Sequence, residues 1–106
     1  MPRKLQKKMF HEMEQKDIFR QAQNYAFDYA DHVLERNVYP TPGAIANLDK
    51  FVEKLPEYTA NASEVLEQLN QYGTPASVAQ TGGRYFGFIN GGVIPASLAA
   101  RWLTDF

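Results

Sequence analysis

TGGRYFGFINGG, residues 81–92, followed at once by VIPASLAARWLTDF, residues 93–106, is the stretch that decides the fold. It holds most of the chain's seven glycines. Tyr85, Phe86 and Phe88 crowd its middle, and Pro95 opens a new apolar run. Glycine on both sides of a short aromatic segment lets the backbone take positive φ and come close to a ligand or another chain. Residues 84–90 carry β-favouring aromatics and Ile89, which predicts an extended segment broken by Gly91 and Gly92. In that geometry Phe86 and Phe88 share one face and Tyr85 takes the other.

On the C-terminal side, Pro95 stands where the first turn of a helix tolerates proline. Leu98, Ala99, Trp102 and Leu103 then predict a buried helical face. No C-cap precedes Phe106, so this helix is expected to be cut rather than finished.

On the N-terminal side the pattern is amphipathic helix and turn. Asn61 and Glu64 have the spacing of a capping box. Val65, Leu66 and Leu69 follow, and Gly73 is expected to end that helix. Thr74-Pro75 predicts a further short helical turn to about residue 79. Residues 44–55 place Ile45, Leu48, Phe51, Val52 and Leu55 at helical spacing, with Pro56 as the stop. Tyr39-Pro40-Thr41-Pro42-Gly43 predicts a stiff extended connection, with a turn permitted at Gly43. Asp17 is the expected N-cap of a helix running to about Arg36, roughly 30 Å long. Its apolar face is Ile18, Ala22, Tyr25, Ala26, Tyr29, Ala30, Val33 and Leu34. Leu5, Met9 and Met13, with Phe10 beside them, predict one more helix behind a basic start of Arg3, Lys4, Lys7 and Lys8. Such a charge run is a solvated face or a mobile arm, since an anion or membrane-surface patch needs more charge.

The expected fold class is therefore mainly α: three to five helices and one short extended aromatic segment. The chain divides into a basic leader at 1–16, a helical segment at 17–80, and a third part at 81–106. There is no internal repeat and no low-complexity segment.

Composition narrows the function. The 106 residues make one domain at most. Eleven basic side chains face twelve acidic ones and the pI is about 6.1, which argues against a nucleic-acid partner. With no cysteine, thiolate metal sites, disulfides and cysteine catalysis are excluded. No apolar h-region follows the basic start, and no run approaches the ~20 residues of a membrane span. The expectation is a cytoplasmic protein with neither a nucleic-acid nor a membrane partner.

Catalytic patterns are thin. Asp28 and His32 are four apart and could share a metal, but with Asp31 and Glu35 they fit a solvated polar face better. His11, with Glu12 and Glu14, takes the same reading. Neither histidine belongs to an HExxH pattern, so no metal site is expected. The glycine stretch lacks both GxGxxG and a GK[ST] ending. Ser63, Ser77 and Ser97 lack a nucleophile-elbow context.

The run TGGRYFGFINGGVIPASLAARWLTDF, with VLEQLNQYGTPASVAQ before it, resembles the start of the catalytic region of pyridoxal-phosphate-dependent group II decarboxylases, the aromatic-amino-acid decarboxylase-like family. The likeness spans residues 19–106 and is specific in the last 26. It departs at Gly83-Arg84, where the family often has His-Pro. The resemblance implies a parent of the α/β fold-type I transferase architecture, a lyase acting in carboxylic acid metabolism, and a homodimer whose N-terminal helices pack across the partner subunit. It further implies that Phe88, Ile89, Asn90, Gly91 and Gly92 line one edge of an amino-acid substrate pocket, with Tyr85 and Phe86 bracing it from behind.

Such an enzyme needs a lysine for the cofactor aldehyde and an acidic partner for the pyridinium nitrogen. The lysines here are Lys4, Lys7, Lys8, Lys16, Lys50 and Lys54, and none follows a histidine, as the family's lysine does. The expectation is an N-terminal piece that binds no pyridoxal phosphate alone and holds no catalytic residue. The alternative is a self-contained helical module that dimerises through its aromatic faces.

Overall fold

The computed structural model describes residues 2–58, 60–84 and 92–106. Five helices follow one another: α1 Pro2–Gln15, α2 Asp17–His32, α3 Pro42–Ala46, α4 Ala62–Gln68 and α5 Pro95–Asp105. About 71% of the described residues are helical and none is in a strand, as the mainly α expectation required. The extended segment expected at 84–90 lies, apart from Arg84, outside the described residues.

The joint between α1 and α2 is a single residue. Lys16 takes the left-handed conformation, φ 63°, the only non-glycine residue to do so among those described. Asp17 is thus the first helical residue and not the expected N-cap. Its carboxylate accepts from Arg20 at 3.1 Å, and Arg20 also donates to the Gln15 carbonyl at 2.9 Å. The hydrophobic phase explains the break. On one continuous helix, at ~100° per residue, the Leu5–Met9–Met13 stripe would lie about 140° round from the stripe of α2.

Helix α2 ends at His32, four residues before the expected Arg36. A tighter turn follows, in which Glu35 N–H donates to the His32 carbonyl at 3.0 Å. Thr41 caps α3 by accepting from Ala44 N–H at 3.1 Å, and Pro42 occupies the first turn. Gly43 therefore lies inside a helix and not in the expected turn. The helix expected over 44–55 gives way to a 3-10 turn at Asn47–Phe51 and stops there. Val52 and Leu55 stay 84% and 92% exposed, so no packing surface draws the last turn into helix.

Asn61 caps α4 as expected, accepting from Glu64 N–H at 3.2 Å. Gly73 does not end the run. Its backbone is right-handed helical, and the chain widens into a π turn at Leu69–Gly73 before a 3-10 turn at Thr74–Ala76. A side chain there would be tight: an added Cβ would lie 3.1 Å from Leu69 Cδ1, which would have to give way, and 3.8 Å from Phe51 Cζ. The Phe51 and Tyr72 rings meet edge to face beside it, centroids 6.3 Å apart.

The core is small. Val33, Pro40 and Ala79 are its buried members among the described residues. Gly82 comes so close to Val33 that an added Cβ would sit 3.2 Å from Val33 Cγ2. The face expected to be buried on α5 is open, with Leu98, Trp102 and Leu103 at 42%, 41% and 81% exposure. Total accessible surface is 9023 Å². A compact 12.0 kDa chain exposes about 6,000 Å². The radius of gyration is 16.5 Å, against about 13 Å for a compact chain of this length.

Candidate functional site

The site is built on the end of α2. Arg36 points its guanidinium at the end of the helical run that begins with α4. It donates to the carbonyls of Thr74 at 3.1 Å, Pro75 at 3.4 Å and Ser77 at 2.5 Å. The last carbonyls of a helix have no partner within it, and a planar five-donor fork suits several at once. The Arg36 guanidinium also lies 5.6 Å from the Tyr29 ring centroid, within cation–π range. Ser77 Oγ donates to the Thr74 carbonyl at 2.6 Å, so it closes a turn. Ala79 N–H donates to the Val38 carbonyl at 2.8 Å. Together these bonds tie residues 74–79 to the chain just after α2.

The glycine stretch leaves from and returns to this anchor. Residues 80–82 form a 3-10 turn ended by Gly83 at φ 80°. Arg84 donates to the Arg36 carbonyl. Gly92, at φ 88°, donates its N–H to the Gln80 carbonyl at 2.7 Å. The excursion over 81–91 thus has a closed neck.

Beside that neck lies an apolar groove of about 670 Å³. Ala22, Ala26 and Ala30 of α2 line it. Leu66, Leu69, Val93 and Leu98 also line it. Gln80 and Thr81 line it at the neck. Small alanines among branched side chains leave room for an apolar occupant.

A second, more polar groove of about 410 Å³ lies across Tyr25 and Tyr29 from the first. Asp28, His32, Arg36 and Tyr39 line it. His32 Nδ1 donates to the Asp28 carbonyl at 2.8 Å and lies 3.4 Å from an Asp28 carboxylate oxygen. The hydrogen bond to the Asp28 carbonyl first, then the charges of Asp28 and Glu35, hold its pKa above the usual 6.5. Asp28 and His32 thus do meet, but no group of three or more His, Asp or Glu able to hold a metal gathers among the described residues.

Of the residues expected to line a pocket, Phe88, Ile89, Asn90 and Gly91 lie outside the described residues, as do Tyr85 and Phe86. Gly92 is placed at the neck, bonded to groove-lining Gln80. Sequence reasoning passed over Arg36, because the carbonyls it caps lie 38 to 41 residues further along the chain. It also passed over the aromatic flank of α2. Phe19 meets Phe106 edge to face at 5.2 Å, and Phe27 stacks on Trp102 at 6.1 Å. Phe19 falls within the stripe of α2, three residues from Ala22 and seven from Ala26, and Phe27 lies at its edge, seven from Leu34.

All six lysines are exposed. None has the desolvated setting that activates a lysine toward a carbonyl. No helix is long and apolar enough to cross a membrane among the described residues. No protein-family model matches the chain, and no curated protein or solved structure matches it either.

Proposed function

We propose that this chain is the N-terminal helical segment of a pyridoxal-phosphate-dependent amino-acid decarboxylase, acting as a homodimer in the cytoplasm. The parent would be an α/β fold-type I enzyme, in which the cofactor serves as electron sink for loss of CO₂. The cofactor lysine lies outside these 106 residues. The part played here is to supply dimer contacts and one edge of the amino-acid pocket, at Phe88, Ile89, Asn90, Gly91 and Gly92.

One observation carries the reading. The chain exposes about 3,000 Å² more than a compact chain of its mass, and the excess includes the apolar faces of α2 and α5. Large obligate interfaces bury surface on that scale. The groove opens beside the neck of the very stretch whose sequence resembles the decarboxylases.

Reading the gene past Phe106 tests this directly. A continuation carrying a His-Lys pair in a cofactor-binding setting supports it, and a stop codon there overturns it. Stoichiometric Schiff-base absorbance from the purified 106-residue chain would also count against it.

The same exposed faces favour a second reading, a helical interaction module without catalysis. It requires a folded oligomer of this chain alone with its apolar faces covered. The first reading requires those faces to stay open in the isolated chain, or to be covered by non-native association.

A further inference from the structure

We propose that Lys16 is a two-position hinge that swings α1 between the bent joint seen here and one continuous helix with α2. The backbone is already helical up to the joint on both sides. Lys16 N–H donates to the Glu12 carbonyl at 3.1 Å, and Arg20 N–H donates to the Lys16 carbonyl at 3.0 Å. Only Lys16 lies off the helical path, at φ 63° and ψ 11°. Lysine disfavours that region because its Cβ crowds the following carbonyl. Rotation of this one residue lets Asp17, Ile18 and Phe19 N–H reach the carbonyls of Met13, Glu14 and Gln15, the missing rungs of a continuous ladder.

The bent position has its own latch. Arg20 bridges the joint, donating to the Gln15 carbonyl at 2.9 Å and to Asp17 Oδ1 at 3.1 Å. Lys16 Nζ adds a bond to the Glu14 carbonyl at 3.3 Å. Straightening gives the Gln15 carbonyl to Phe19 and displaces Arg20 from it. The two positions are thus alternative partners for one carbonyl.

Nothing else ties α1 down among its described side chains: all are exposed except half-buried Glu12. A one-residue joint is also too short for an antiparallel helical hairpin, whose loop takes about 2–5 residues. Helix α1 therefore does not lie back along α2 in either position. The hinge instead sets where its stripe of Leu5, Met9, Phe10 and Met13 points. In the straight form the stripe stands about 140° round from that of α2. In the bent form Lys16, at φ 63° and ψ 11°, sets a different direction for it.

The chain has no cysteine, so a spin-label pair sits only where it is placed. With Gln6→Cys and Asp31→Cys, a straight helix puts the labelled positions about 38 Å apart, and the bent joint brings them closer. Electron–electron distance measurement should show both populations. Lys16→Gly removes the left-handed penalty and should shift the ratio about five- to thirtyfold toward the short distance. Arg20→Ala removes the latch and should shift it toward about 38 Å. A single distance in the parent chain that neither substitution moves overturns the hinge. So does a shift in the same direction from both.

Discussion

The amide of Gly92 donates to the carbonyl of Gln80 at 2.7 Å, which closes the neck of the glycine-rich excursion on the rim of the apolar groove. The chain leaves this bond through Gly92 at φ 88°, a conformation in which a Cβ crowds the following carbonyl. Nothing lies within 4 Å of a Cβ built there, so the penalty is conformational and not a clash. Gly92→Ala should lower unfolding free energy by about 1–2 kcal/mol in urea melts. An unchanged midpoint would show that the neck is not formed in solution.

Arg36 holds the turn at 74–77 against the end of α2 through three carbonyls. Arg36→Ala removes all three bonds, with an expected loss of about 2–3 kcal/mol. Arg36→Lys keeps the charge but not the fork, and should recover less than half of that. Thermal melts of the two variants check the order. Equal stability of Arg36→Lys and the parent would reduce Arg36 to a point charge.

His32 should make stability depend on pH. Its folded-state pKa is raised, with the Asp28 carbonyl bond as the leading cause. The stabilisation is therefore full below the ordinary value near 6.5 and is lost as pH rises through the higher folded value. His32→Gln should flatten that part of the profile. A stability curve that instead rises across this window would reverse the assignment.

Trp102 is the single tryptophan, 41% exposed and stacked on Phe27. It reports on whatever covers the α5 face. As concentration rises, self-association over this face should shift emission to the blue, together with a larger mass in sedimentation. Emission that stays constant while mass rises would place the contact elsewhere.

Val33 is buried beneath Gly82. Val33→Ala should cost about 1–2 kcal/mol through the cavity it leaves. Gly82→Ala asks Val33 Cγ2 to yield at 3.2 Å, and should cost less if Val33 can turn. Combining the two in one chain should be less harmful than the sum, because the smaller side chain makes room for the added Cβ.

Local chemistry was legible along the chain. The Asn61 cap, the proline start of α5 and positive φ at two of the glycines follow from covalent geometry and from bonds within a few residues. Those forces act in any context, so the sequence by itself determined five helices in nearly their right places and a glycine-rich stretch before the last of them. The rest belonged to tertiary structure. Whether residues 52–55 continued a helix, whether α2 reached Arg36, and whether Leu98, Trp102 and Leu103 were buried all depended on a surface to pack against. Amphipathic spacing records that a face is apolar but not what meets it. The Arg36 clamp joins residues 38 to 41 apart, and Gly82 meets Val33 from the far side of two helical segments. Only the folded chain brings such groups within bonding distance, and that is where the groove beside Gly92 was made.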